Sequence, residues 1–169
     1  MNIEEDELYD LIIQQLLIIS EIANVYDQSL NHVKPHGALY NQSAKDPAIA
    51  NTIARAVKDF NSQLILFGLS DSHSITEAEK LGLKTANEVF ADRTYQDDGS
   101  LTPRSMKNAL IENPDETLKQ VGGMVNEGKV ITVSGKSIPI KADTICIHGD
   151  GGNALVLAES LWREFKMER

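Results

Sequence analysis

The chain has 169 residues, 41% hydrophobic and 24% charged, the size and composition of one ordinary globular domain. Its formal net charge of -9 comes with no basic cluster to neutralise phosphates, which excludes a nonspecific binder of nucleic acid or anionic membrane. The one cysteine, Cys146, lies in an apolar run, so the chain has no internal disulfide framework and fits a reducing cytoplasm.

The first predicted element is a helix over Glu4 to Tyr26, with apolar residues at 8, 11, 12, 16, 19, 22 and 23. An acidic first turn (Glu4, Glu5, Asp6, Glu7) suits the helix dipole and is the opposite of a basic leader. Asp10, Gln14, Gln15, Ser20, Glu21 and Asn24 interrupt the apolar stretch, so it reads as a helix in a soluble core rather than a membrane span. Ile13, Leu17 and Ile18 widen its apolar face, which wants cover on more than one side.

Leu30 to Val33 reads as a short strand, followed by Lys34-Pro35-His36-Gly37. Asp46 as N-cap and Pro47 at the first helical position open a helix to about Phe60. Gln63 to Phe67 is an apolar strand. Ser74 and Glu77 form a capping-box pattern for a short helix ending near Gly82. Lys84 to Phe90 is a third strand. The stretch from Phe90 to Asn113 lacks periodicity, and its Asp97-Asp98-Gly99 turn suggests an ordered covering loop. Asn113-Pro114 starts a helix that Gly128 closes, with Gly122 and Gly123 weakening its interior.

Lys129 to Val133 and Ser137 to Ile140 read as a hairpin, and Pro139 places its second arm at a sheet edge or outside the main sheet. Thr144 to Ile147 is a fourth core strand, and Asn153 to Lys166 a final amphipathic helix. No repeat or linker appears, so residues 1–169 read as a single domain. Alternating strands and helices call for α/β architecture with a parallel sheet or part of a β/α barrel; four core strands are few for a closed barrel, which needs about eight.

Polar residues gather where these strands end. Lys34, His36, Tyr40 and Asn41 follow the first; Ser70, Asp71, Ser72 and His73 the second; Asp92, Arg93 and, further on, Arg104 the third; His148 and Asp150 the fourth. In α/β folds ligands bind at the carboxyl ends of parallel strands. His36 and His148 are acid/base candidates because imidazole titrates near neutrality, against a plainer reading as turn histidines. Asp150 suits orienting His148, acting as a base, binding metal or capping the last helix. Gly149, Gly151 and Gly152 bring backbone amides to a helix start, where an anionic group can bind. Lys34, Arg93 and Arg104 are carboxylate or phosphate contacts by type. No P-loop, dinucleotide fingerprint, nucleophile elbow or zinc-type cysteine pair is present.

His32-Val33-Lys34-Pro35-His36-Gly37-Ala38-Leu39-Tyr40-Asn41, Phe90-Ala91-Asp92-Arg93-Thr94-Tyr95, Leu101-Thr102-Pro103-Arg104 and Ile147-His148-Gly149-Asp150 resemble, in order and spacing, the LamB/YcsF family. Its members are the A subunit of bacterial ATP-dependent 5-oxoprolinase. The resemblance implies a seven-stranded β/α barrel related to polysaccharide deacetylases, so this chain is expected to form a partial β/α barrel of the glycoside hydrolase/deacetylase type with the small inserted β-hairpin read above. It implies an ATP-dependent cyclic amide hydrolase that opens the lactam ring of 5-oxo-L-proline to L-glutamate, with ATP as co-substrate and the B and C subunits as partners. His36, Asp92, His148 and Asp150 would then be catalytic. Lys34, Tyr40, Asn41, Arg93, Arg104 and Gly149 would bind substrate. A requirement for a divalent metal stays open.

The family pattern also begins with an acidic Asp-x-Asn-x-Asp strand and has a later His-Ala-Gly-Asp-Pro turn, neither of which this sequence contains. Gly151-Gly152 stands where the family usually has Thr-Pro. By that pattern about three barrel strands are missing, which exposes sheet edges and helix faces. The expectation is a homo-oligomer, or a chain that pairs with an N-terminal piece. The competing expectation is a non-catalytic remnant that oligomerises or binds a small carboxylate. A metal-dependent deacetylase is the third and weakest reading.

Overall fold

The computed structural model describes residues 4–149 and 154–165. The chain divides into two compact units, residues 1–87 and 88–169.

The first unit opens with α1 (Glu5–Val25), then β1 (His32–Val33), α2 (Gly37–Lys45), α3 (Pro47–Asn61), β2 (Ile65–Leu69) and α4 (His73–Lys80). β3 (Lys84–Phe90) begins in this unit and ends in the second. β1 and β2 run parallel, with His32 opposite Ile65 and Val33 opposite Leu66. The core comes from α1 (Leu8, Ile12, Leu16), α3 (Ile53, Ala54, Ala56, Val57) and residues of and beside β2 and α4 (Leu64, Leu66, Ala78, Leu83). Spacing of four along α1 puts its three residues on one stripe. Burying each large side chain there stabilises the unit by roughly 1.5–3 kcal/mol. At the exposed edge of the same packing, the Tyr9 hydroxyl donates to Asp59 at 2.9 Å and Arg55 meets Glu5 at 2.7 Å.

Only that stripe of α1 is buried. Leu17, Ile18, Ile19 and Ile22 lie exposed, so the helix read from sequence as a core element is covered on one side. Among the described residues α1 is the one helix long and apolar enough, by length and composition, to cross a membrane.

α3 follows its local signals: the Asp46 carboxylate accepts from the amides of Ala48 (2.9 Å) and Ile49 (3.4 Å), and Pro47 stands where no amide bond is needed. α4 departs from them. Its N-cap is Ser72, and the Ser74 hydroxyl, buried in the first turn, donates instead to the Ser43 hydroxyl of α2 at 2.9 Å. Tertiary packing took the residue that the capping-box pattern had assigned to the cap. α2 itself has no counterpart among the predicted elements.

In the second unit the end of β3 pairs in parallel with β6 (Thr144–Cys146), Phe90 opposite Cys146. The sheet order is β1-β2-β3-β6. α5 (Pro114–Glu127) is capped by Asn113, whose side-chain carbonyl accepts from the Asp115 amide, and ends on Gly128 at φ 63°, a left-handed position that favours glycine. β4 (Lys129–Ile131) and β5 (Ser137–Pro139) form a separate antiparallel pair, consistent with Pro139 lying outside the main ladder. α6 (Ala154–Phe165) buries Leu157 and Leu161 and leaves Leu155 and Trp162 exposed. Ala91, Val121 and Leu161 centre a small core with Leu118, Ile145, Ile147 and Phe165 around it.

Residues 91–113 form a loop braced from within. Short bridges join Arg93 to Leu110 and Tyr95 to Leu101. Tyr95 is fully buried, and its hydroxyl accepts from the Phe90 amide at 2.7 Å. At the tip, Asp97 accepts from the hydroxyls of Thr132 (2.6 Å) and Ser134 (2.7 Å), which ties the loop to the β4–β5 turn.

Candidate functional site

β3 and β6 are adjacent and parallel, so the residues just past their ends come together although 56 positions separate them in sequence. Asp92 follows β3, and His148 follows β6. His148 Nδ1 lies 2.8 Å from Asp92 Oδ2 and 3.0 Å from Oδ1. The His148 backbone amide also donates to Oδ2, at 3.1 Å. The Phe90 ring stacks on the imidazole with centroids 5.6 Å apart. Both side chains are partly buried, the histidine 26% and the aspartate 13% exposed.

This arrangement fixes the chemistry of the ring. A carboxylate that accepts from Nδ1–H selects one tautomer, leaving the lone pair of the neutral imidazole on Nε2. Nε2 is then the ring atom that can accept a proton.

Arg93, next to Asp92, is 5% exposed. Its Nε donates to the Ala109 carbonyl (3.2 Å) and a terminal nitrogen to the Thr102 carbonyl (2.6 Å). Burial, with the Arg104 charge nearby, lowers its pKa below the ordinary guanidinium value. Through these two bonds its fork braces the loop. Arg104 is exposed on the same loop, and Gly149 is exposed just past His148. Asp150, Gly151, Gly152 and Asn153 lie outside the described residues.

The first unit holds the other predicted residues. Lys34 follows β1, with its ammonium 5.7 Å from the centre of the Tyr40 ring. His36 is the N-cap of α2 without a side-chain cap bond, and Asn41 donates to the Gly37 carbonyl at 3.2 Å. The His32 ring stacks on Phe67 at 4.4 Å, a packing role rather than a ligand's. Lys34, His36 and His32 help line a groove of about 470 Å3 whose other walls include Ile12, Leu16, Leu30 and Val33.

Among the described residues no three His, Cys, Asp or Glu side chains gather into a group that could hold a metal ion. Sequence reasoning missed Gln120, whose amide reaches the carbonyls of Phe90, Ala91 and Arg93. A mid-helix glutamine gives no signal by itself.

Three relatives put this geometry in context. The chain is 51% identical over 168 residues to the A subunit of 5-oxoprolinase from Staphylococcus haemolyticus, covering 99% of this chain and 67% of that protein. It is 52% identical over 166 residues to the protein of the same name from Oceanobacillus iheyensis (98% and 65%), and 50% identical over 161 residues to that of Brevibacillus brevis (95% and 63%). The chain thus spans about two thirds of the length of these relatives. The crystal structure of the lactam utilization protein from Thermus thermophilus superposes with a TM-score of 0.87 at 36% identity, over 96% of this chain and 66% of that one. The family model for LamB/YcsF matches residues 1–169. With that match over its whole length and relatives this similar, the chain belongs to the LamB/YcsF family.

Proposed function

We propose that this chain acts in the cytoplasm as the A-type component of ATP-dependent 5-oxoprolinase, together with the B and C subunits. The reaction opens 5-oxo-L-proline to L-glutamate. One water adds to the ring amide carbonyl, the ring C–N bond breaks, and the nitrogen leaves as the amine. ATP is a second substrate, and its hydrolysis to ADP and phosphate takes another water.

The observation that carries the reading is the Asp92–His148 pair. His148 Nε2 accepts the proton of the attacking water and returns it to the departing nitrogen, while Asp92 holds the tautomer. Of the two arginines, exposed Arg104 is the contact for a carboxylate or phosphate. Gly149 and Asp150 remain proposed members of this site, and Lys34, His36, Tyr40 and Asn41 remain proposed functional residues of the first unit. No step is routed through a metal, because no cluster among the described residues fits one.

The test is 5-oxoproline-dependent glutamate release with the B and C subunits, with the Staphylococcus haemolyticus protein as working control. The expected result is glutamate formation that His148→Gln lowers by about 10²–10⁴-fold. Silence of the unmodified chain beside a working control overturns the reading.

The exposed Leu17, Ile18, Ile19 and Ile22 of α1 favour a second reading, a non-catalytic domain that associates with another copy of itself. Light scattering decides it. A dimer that Ile18→Glu converts to monomer, in a chain without activity, supports this second reading; a monomer refutes it.

A further inference from the structure

We propose that Gln120 is a positioning residue for Asp92, acting through the backbone on either side of it. The proposal rests on the reading of Asp92 and His148 as the proton-handling pair. β3 ends at Phe90, and the chain runs on through Ala91, Asp92 and Arg93. A buried carbonyl without a donor is costly, so the chain's turn away from the sheet needs one from elsewhere. α5 supplies it. Gln120 Nε2 lies 3.1 Å from the Phe90 carbonyl oxygen, 3.3 Å from that of Ala91 and 2.9 Å from that of Arg93. Two amide hydrogens serve three acceptors, so one is shared.

Those carbonyls bracket Asp92 from both sides. Two further bonds complete the hold: the Ala91 amide donates to the Cys146 carbonyl (3.0 Å), and the Ile111 amide donates to Asp92's own carbonyl (2.9 Å). With its backbone fixed on every side, Asp92 has little freedom except in its side chain, which meets His148. A residue here must be long enough to reach and must donate without accepting a proton. Glutamate has the length but presents only acceptors to three carbonyls; methionine has the length without a donor; asparagine has the amide on a shorter stem.

The experiment uses the full chain labelled with nitrogen-15 and reads the His148 ring nitrogens by NMR, alongside glutamate release with the B and C subunits. In the unmodified chain the ring holds the single tautomer with hydrogen on Nδ1. Gln120→Met is expected to give a tautomer mixture and a kcat lowered on the order of tenfold to a hundredfold with KM unchanged. Gln120→Asn reads the same and serves if the methionine variant does not fold. Val121→Ala, on the buried neighbour, is the control: it lowers the melting temperature and leaves the ring signals alone. Ring signals unchanged in both Gln120 variants, with only a melting shift like that of Val121→Ala, overturn the proposal and leave Gln120 a packing residue. A changed tautomer with glutamate release unaffected upholds the positioning role and refutes the proton-handling reading instead.

Discussion

The carboxylate of Asp92 engages His148 twice, once through the ring at 2.8 Å and once through the backbone amide at 3.1 Å. The backbone bond fixes where the ring sits, and the ring bond fixes which nitrogen bears hydrogen. Asp92→Asn keeps the shape and removes the charge. Its amide can offer hydrogen to Nδ1 and so reverse the tautomer. Turnover is expected to fall by about 10²–10⁴-fold with little change in melting temperature. Unchanged turnover in the asparagine variant would show that the pair only braces the two strand ends.

Burial pushes the Tyr95 hydroxyl well above its ordinary value of 10.0, against the opposing Phe90 amide bond. A hydroxyl whose folded pKa exceeds its unfolded one stabilises the fold fully below pH 10.0. That stability is lost as pH rises past this value toward the folded one. Urea unfolding followed from pH 8 to 11 should therefore show stability falling at the alkaline end, roughly above pH 10. Tyr95→Phe should flatten that slope. It should also lower stability near neutrality by about 1–3 kcal/mol, since the Phe90 amide loses its acceptor.

At the other end of the scale, the hydroxyls of Thr132 and Ser134 hold the Asp97 carboxyl below its ordinary 3.8. The stability this adds is present above that value and lost as pH falls through the lower, folded one. Hydrogen exchange of the Val133 amide, bonded to the Tyr95 carbonyl at 2.9 Å, should speed up in acid as the loop tip loosens. Asp97→Ala should give that faster exchange at neutral pH. Equal exchange in both chains at every pH would remove the tie from any account of loop order.

Gly68 on β2 leaves no room for a side chain: a Cβ there would stand 2.7 Å from the Cβ of Ser74 and 3.3 Å from Ile75 Cδ1. Its backbone is ordinary, so the requirement is one of space between strand and helix rather than of conformation. Gly68→Ala should lower stability by about 1–3 kcal/mol, read as a shift of the urea midpoint. Adding Ser74→Gly should recover part of the loss. A Gly68→Ala chain as stable as the original would show that α4 moves away freely.

Elements with local punctuation were legible in the sequence. Asp46-Pro47 and Asn113-Pro114 write helix starts in side-chain oxygens and a fixed φ, and both helices begin there. α2 was not legible. It starts on Gly37 at φ 62° after Pro35, which reads as a turn, and it buries only Tyr40, Ser43 and Ala44. Asp92 and His148 were each visible as residues past a strand, but their bond depends on β3 and β6 lying side by side, which no spacing records. Arg93 has the same chemistry as Arg104 in sequence; that Arg93 is buried among carbonyls emerges only from the fold. Gln120 was hidden for the converse reason, since its partners exist only once β3 has ended beneath α5.

Trp162, the chain's single tryptophan, stands 64% exposed on α6. Its indole already meets water in the folded state, so its emission colour changes little when the core opens. Tryptophan fluorescence would follow events at the surface of α6, including the arrival of a partner there, and would be nearly blind to denaturation. Melting of this protein is better followed by the circular dichroism of its helices.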